Sequence, residues 1–274
     1  MRRRLLHGGS QVKSRLVRGI AAVTAGMALI LGVAAPPARA EGNPNYEDVT
    51  LDVLRSALTV AEDGVITPKE LVDLVLLLKG ALAGVKTDVV ARLDAQAVAT
   101  LRAKTEYAVT NVFYLENPFP VYAALYNSTV SDGAFLAKSY IAGNVVTADK
   151  DVDAVGRAMM TLFTAYDVGL EKVNAPVADR GRVLASYHEA LEGLIAKMVP
   201  RCDEYGDRVG SYHIDCTYAD KTVHATKDLF GWTIDGGPPP TGAVDRSVVE
   251  NLVMADTAKK LAQDALEQLR QHGH

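Results

Sequence analysis

Apolar residues recur at every third or fourth position through most of this chain, and the spacing stops at Pro200. A period near 3.6 places one face of an α-helix against a core, so the pattern commits the chain to a helical body before any motif is considered. Residues 46–60 line up Val49, Val53, Leu54, Ala57 and Leu58. Glu62-Asp63-Gly64 breaks the stripe and Thr67-Pro68-Lys69-Glu70 restarts it. Thr67 suits the N-cap, Pro68 the first helical position, and Glu70 the far side of a capping box. The next helix is apolar on nearly all sides, from Leu71 through Leu82, interrupted by Asp73 and Lys79. It is too short to span a bilayer, so it reads as a central, buried helix. Residues 86–116 read as one long helix stopped by Asn117-Pro118, because the residue before a proline avoids helical backbone. Residues 119–126 are a short apolar segment, and 131–146, with two glycines and a β-branched end, are ambiguous. Residues 149–173 and 177–199 return to clear helical spacing.

Residues 200–244 differ in kind. Gly, Pro, Asp and Tyr dominate, and no run of alternating strand character stands out. The segment holds both cysteines, Cys202 and Cys216. Asp245 or Ser247 then caps a final helix through Leu269. The expected fold is all-α: a bundle of about six or seven helices, with residues 200–244 as an irregular, disulfide-tied segment before the last helix.

The N-terminus reads as an address. Residues 1–18 are basic, 19–35 are an apolar run, and Pro36-Pro37-Ala38-Arg39-Ala40 ends in an A-x-A cleavage pattern. These are the three parts of an export signal, with residues 41–274 as the single mature domain, delivered to the cell envelope or the medium. Residues 1–40 carry seven basic side chains and no acidic ones, so the chain after Ala40 holds 22 Lys and Arg against 33 Asp and Glu, a net charge of −11. An acidic body of this kind is repelled by nucleic acid and by anionic lipid. Membrane contact is expected through the signal segment alone. Outside the cell an even cysteine count implies one Cys202–Cys216 disulfide, worth about 3 kcal/mol in the chain-entropy model for a loop of about 15 residues.

The junction Thr59 to Glu70 ends in Asp63-Gly64-Val65-Ile66-Thr67-Pro68-Lys69-Glu70. Across residues 54–82 this resembles the second half of an EF-hand helix-loop-helix, and equally the turn of TerB-like helical domains of the tellurite-resistance type. The resemblance implies a sharp turn at Gly64, a packing Ile66, a calcium ligand at Asp63 and a bidentate one at Glu70. Thr59 and Ala61 stand where that family has Asp or Asn. The plain reading of the same residues is a capped turn.

Other groups are candidates for binding or chemistry. Cys202, His213, Cys216 and His224 are a zinc-type set at a spacing that matches no zinc motif, and the disulfide reading takes precedence. His213 and His224 have Asp215 as a potential partner. His188 lies one turn before Glu192 on a helix, the spacing of an ion pair or an oriented base. Phe113, Tyr114, Phe119, Tyr122 and Tyr126 crowd around Asn117-Pro118, which suits a helix corner or a binding surface. Trp232, the only tryptophan, is a hot-spot candidate if exposed. Familiar catalytic strings and phosphate loops are absent. No cofactor is expected apart from the calcium that the EF-hand resemblance implies. The expected function is an exported, non-enzymatic helical protein that binds a partner protein or small ligand. The alternatives are a divergent EF-hand-like calcium binder and an extracellular hydrolase using a His/carboxylate pair, either His188 or His213/Asp215.

Overall fold

The computed structural model describes residues 46–62, 67–93, 98–207, 210–235 and 244–273. The export segment and Asp63 lie outside these residues. The described chain contains the helices α1 (Tyr46–Glu62), α2 (Pro68–Asp88), α3 (Ala99–Asn111), α4 (Pro120–Ala142), α5 (Asp149–Lys172), α6 (Val177–Lys197), α7 (Arg246–Met254) and α8 (Ala258–Gln271). It also contains four strands, β1 (Arg201–Gly206), β2 (Tyr212–Tyr218), β3 (Lys221–Asp228) and β4 (Gly231–Ile234). The fold is therefore mostly helical but not all-α. Residues 201–234 are an antiparallel meander in the order β1-β2-β3-β4, not an irregular loop. Alternation is present in β2, where Ile214, Cys216 and Tyr218 are buried and His213, Asp215 and Thr217 are not. Its outward members are polar, so the period-two signal is present, but it spans the 7 residues of β2 beside helical patterns of 24 and 21 residues in α5 and α6.

The central helix is α5, not α2. From Val152 to Leu170 every residue except Tyr166 is buried, and α5 packs against α1, α2, α3, α4, α6 and α8. On α2, Leu74, Val75, Leu78 and Leu82 face the core, while Val72 and Leu76 are 57% and 56% exposed. All-round apolarity here marks a helix with a second apolar face. The expected long helix over 86–116 is broken: α2 ends at Asp88, Val90–Arg92 form a 3₁₀ turn, α3 starts at Ala99, and Val112–Glu116 form another 3₁₀ turn. Paired valines at 89–90 lose side-chain freedom in helix, and Leu93 turns to extended backbone at ψ 117°. The ambiguous stretch 131–146 completes α4. Its Gly133 sits where a Cβ would stand 3.0 Å from Lys104 Cβ, so the glycine permits close helix approach. At Gly169 of α5 a Cβ would fall 1.7 Å from Asn127 Oδ1 of α4.

Two buried ionic sites tie the bundle. Arg180 of α6 makes a forked contact to Asp167 of α5 at 2.6 and 2.9 Å, donates to the Ala57 carbonyl of α1 at 2.9 Å, and pairs with Glu171. Asp153 of α5 accepts from Arg157 Nε at 2.9 Å and from the Ala258 amide at 2.6 Å. That second bond caps α8 and splits the expected single C-terminal helix at Ala255–Thr257.

The sheet is stapled across β1 and β2 by the Cys202–Cys216 disulfide, whose Cα atoms are 4.1 Å apart in directly opposed register. Its inner face, with Ile214, Cys216, Val223 and Ala225, lies on α7. The Tyr218 hydroxyl donates to the Asp149 carbonyl at 3.2 Å, which anchors the sheet to the start of α5.

Candidate functional site

A cleft of about 1070 Å³ lies where sheet and bundle meet. Its walls come from the 3₁₀ turn at Arg92, the first turn of α3 (Arg102), the first turn of α5 (Lys150, Asp151), the β2–β3 turn, and the α7–α8 corner (Asp256, Thr257). The position of the wall from the sheet follows from Tyr218 and from the Ala219 amide, which donates to Asp149 Oδ2 at 3.4 Å. Ala219 holds φ 52°, a left-handed value that costs a residue with a Cβ about 1–2 kcal/mol. The two-residue turn between the paired Tyr218 and Lys221 requires a left-handed residue there. Lys221 donates to Asp256 Oδ2 at 2.9 Å and to the Leu252 carbonyl at 3.1 Å, closing the corner.

The floor is Asp153, 9% exposed. Burial pushes its carboxyl above the usual aspartate range, against the Ala258 amide and the nearby Arg92, which pull it down. Arg92 Nη1 lies 4.0 Å from Asp153 Oδ2, and Arg102 Nε donates to Glu106 at 3.1 Å. Guanidinium, ammonium and carboxylate groups thus face one cavity of ligand size. Among the described residues that line it there is no histidine, serine or cysteine.

The histidines of residues 200–244 are elsewhere, on the open face of the sheet. His224 Nδ1 lies 2.9 Å from Asp215 Oδ1, and the Tyr205 hydroxyl donates to Asp215 Oδ2 at 3.0 Å. Partial burial raises the Asp215 carboxyl, but the hydrogen bonds from His224 and Tyr205 outweigh it and hold the group below its ordinary value. His213 stacks on Tyr205 at a centroid distance of 4.9 Å and reaches Thr226 Oγ1 at 3.1 Å and Asp207 Oδ2 at 3.4 Å. Of the two histidines expected beside Asp215, His224, its cross-strand neighbour, makes the pair, while His213 turns to Asp207. Both cysteine sulfurs are consumed in the disulfide, which removes the Cys/His zinc set. Among the described residues no group of three or more His, Cys, Asp or Glu is arranged to hold a metal.

The remaining candidates are dispersed. Glu70 completes the capping box: its carboxylate accepts from the Thr67 amide at 2.8 Å and its own amide donates to Thr67 Oγ1 at 3.3 Å. His188 pairs loosely with Glu192 at 3.8 Å on α6. Tyr126 is fully buried and donates to the Ala108 carbonyl at 3.2 Å, a packing residue and not part of a surface. Tyr122 is partly exposed and contacts Tyr114 at 5.6 Å. Trp232 is half-buried at the sheet edge, in edge-to-face contact with Tyr212. The fully exposed apolar pair is instead Leu229-Phe230 at the β3–β4 turn, at 98% and 97%, with Asp228 Oδ1 accepting from the Phe230 and Gly231 amides. Sequence reading missed the cleft residues Arg92, Arg102, Asp153 and Lys221. They lie on separate elements, so no local string joins them.

No known protein family matches this chain, and neither does any curated protein or solved structure.

Proposed function

We propose that this chain is an exported, non-enzymatic binding protein that holds a small charged molecule in the cleft between bundle and sheet. The observation that carries the reading is the cleft itself: about 1070 Å³, walled by five separate elements, with charged groups of both signs and a buried carboxylate at its floor. Recesses of roughly 300–1,000 Å³ with convergent polar groups are the usual form of small-molecule sites. The two alternatives have less behind them. Calcium at Glu70 would have to displace the bond that caps α2. A hydrolase built on His188 or the His213/Asp215 region would work from exposed faces, without the water-excluded recess that strengthens such chemistry.

The test is thermal denaturation of the full chain against a panel of amino acids, dicarboxylates and sugar phosphates. At least one class is expected to raise Tm saturably. Arg92→Glu and Lys221→Glu should each abolish that rise. If no class shifts Tm, or the shift survives both variants, the cleft is not the site. Calcium titrated into chelator-treated protein is expected to give no response; saturable binding lost in Glu70→Gln would replace this reading with the EF-hand one. Export predicts that the protein recovered from the envelope or the medium begins at Glu41 by mass.

A further inference from the structure

Three elements that meet at the 3₁₀ turn Val112–Glu116 leave large apolar side chains in water. On α2 these are Val72, Leu76 and Leu77, at 57%, 56% and 40% exposure. The 3₁₀ turn Val112–Glu116 adds Phe113 at 48%. The start of α4 adds Phe119 at 64%, Val121 at 59% and Leu125 at 54%. An ion pair and ring contacts join the three elements. Glu116 reaches Lys79 of α2 at 2.7 Å, and residues three apart in a 3₁₀ turn eclipse one another, which puts Phe113 in line with Glu116. Phe113 then contacts Tyr114 at 4.6 Å, and Tyr114 contacts Tyr122 at 5.6 Å. Taking the aromatic figure of about 150–250 Å² as an upper value for each, these exposures give at most on the order of 600–900 Å² of apolar surface. A soluble monomer's largest apolar patch is about 300–600 Å², whereas each partner in a stable interface covers about 800 Å².

The face also has relief. Between α2 and the 3₁₀ turn runs a groove of about 410 Å³ lined by Leu71, Val72, Val75, Leu76 and Leu115. Three residues after Glu116 of its lining comes Phe119, held between Pro118 and Pro120, with its amide donating to Asn117 Oδ1 at 3.0 Å. The proline rings restrict the backbone on both sides, so the ring is presented on a stiff corner. A cavity of about 150 Å³ accepts benzene, so the groove has room for one such ring. A knob and a matching groove on the same face make it self-complementary, the condition for a two-fold interface in which each copy gives the contact it receives. Charge permits it as well. The chain as a whole is net negative, which keeps copies apart over most of the surface. Here Glu116 is paired with Lys79, Asp73 lies 3.6 Å from Lys69, and Lys172 at the groove edge adds positive charge.

We propose that this face binds a second copy of the same chain, with Phe119 of each copy seated in the groove between α2 and the 3₁₀ turn Val112–Glu116 of the other. The occupant is a protein and not a lipid because the face is grooved and knobbed, a relief that a bilayer does not match.

The test is sedimentation equilibrium of the full chain and its variants over a range of concentrations. The native chain is expected to dimerise. Phe119→Glu and Leu76→Lys, both at exposed positions, should each raise the dissociation constant by about 30-fold or more, the size of a hot-spot loss. Circular dichroism should stay native in both. Mixing the two variants should restore the dimer, since one contact becomes Glu–Lys and the other stays Phe–Leu. The proposal is overturned if the native chain is monomeric at all concentrations, if its dimer is indifferent to both changes, or if mixing restores nothing. Phe119-dependent binding of the monomer to phosphatidylcholine vesicles would overturn it in favour of a lipid surface.

Discussion

The bundle and the sheet solve the same problem with different means. The bundle surrounds α5 with six other helices and can afford buried ionic groups, because each has a fixed partner: Asp167, 1% exposed in its side chain, grips Arg180. The sheet is one layer, covered on one side by α7 and open on the other. It buries little and relies on a covalent staple, with its charged pairs in water-accessible positions. Burial holds the first region and connectivity holds the second. The cleft forms where the stiff region meets the stapled one.

The largest expected effect tests the bundle. Arg180→Ala should destabilise the protein by about 3–5 kcal/mol in urea unfolding, because it strands a buried carboxylate. A loss below about 1 kcal/mol would mean that water reaches the site and that the bundle is no drier than the sheet. Next comes reduction of Cys202–Cys216, expected to cost about 3 kcal/mol. Hydrogen exchange should speed up in β1 and β2 while α5 stays protected; equal acceleration in α5 would make the two regions one cooperative unit. Third is Gly169→Ala, where the new Cβ meets Asn127 of α4. A cost of about 1–3 kcal/mol is expected from overpacking, and Asn127→Ala in the same chain should recover most of it.

The smallest effect is in pH. Asp215 is held below the usual aspartate value by His224 and Tyr205 against its partial burial. Its contribution is therefore complete above the unfolded value of about 3.9 and is lost as pH falls through the lower folded value. Asp153 runs the other way. Burial raises it, so its contribution is fullest below about 3.9 and is lost as pH rises through the folded value. Acidification should loosen the sheet before the corner of α5 and α8, measured by exchange of the β2 and Ala258 amides. The reverse order would remove the electrostatic half of the comparison.

Legibility followed the range of the forces. The capping box at Thr67 and Glu70, the stop at Pro200 and the Cys202–Cys216 bridge were readable because each rests on near neighbours or on a count of two thiols. The break between α7 and α8 was not, because its cap comes from Asp153, 105 residues away in sequence. Residues 201–234 read as irregular because their alternating runs are short and lie among Gly, Asp and Tyr. Nor could α5 be told from α2 as the central helix, since an all-apolar helix looks the same whether its second face meets a neighbour or water.

The residues alone determined that most of this chain is helix, where its strongest punctuation falls, and that its two thiols pair, because propensity, capping and period act over a few residues. Tertiary structure decided which helix is central, that the polar segment pairs into a sheet, and that Arg92, Arg102, Asp153 and Lys221 share a cleft. Those outcomes depend on contacts between elements far apart in the chain, and hydrophobic burial, which has no direction of its own, is satisfied by many arrangements until the whole set packs at once.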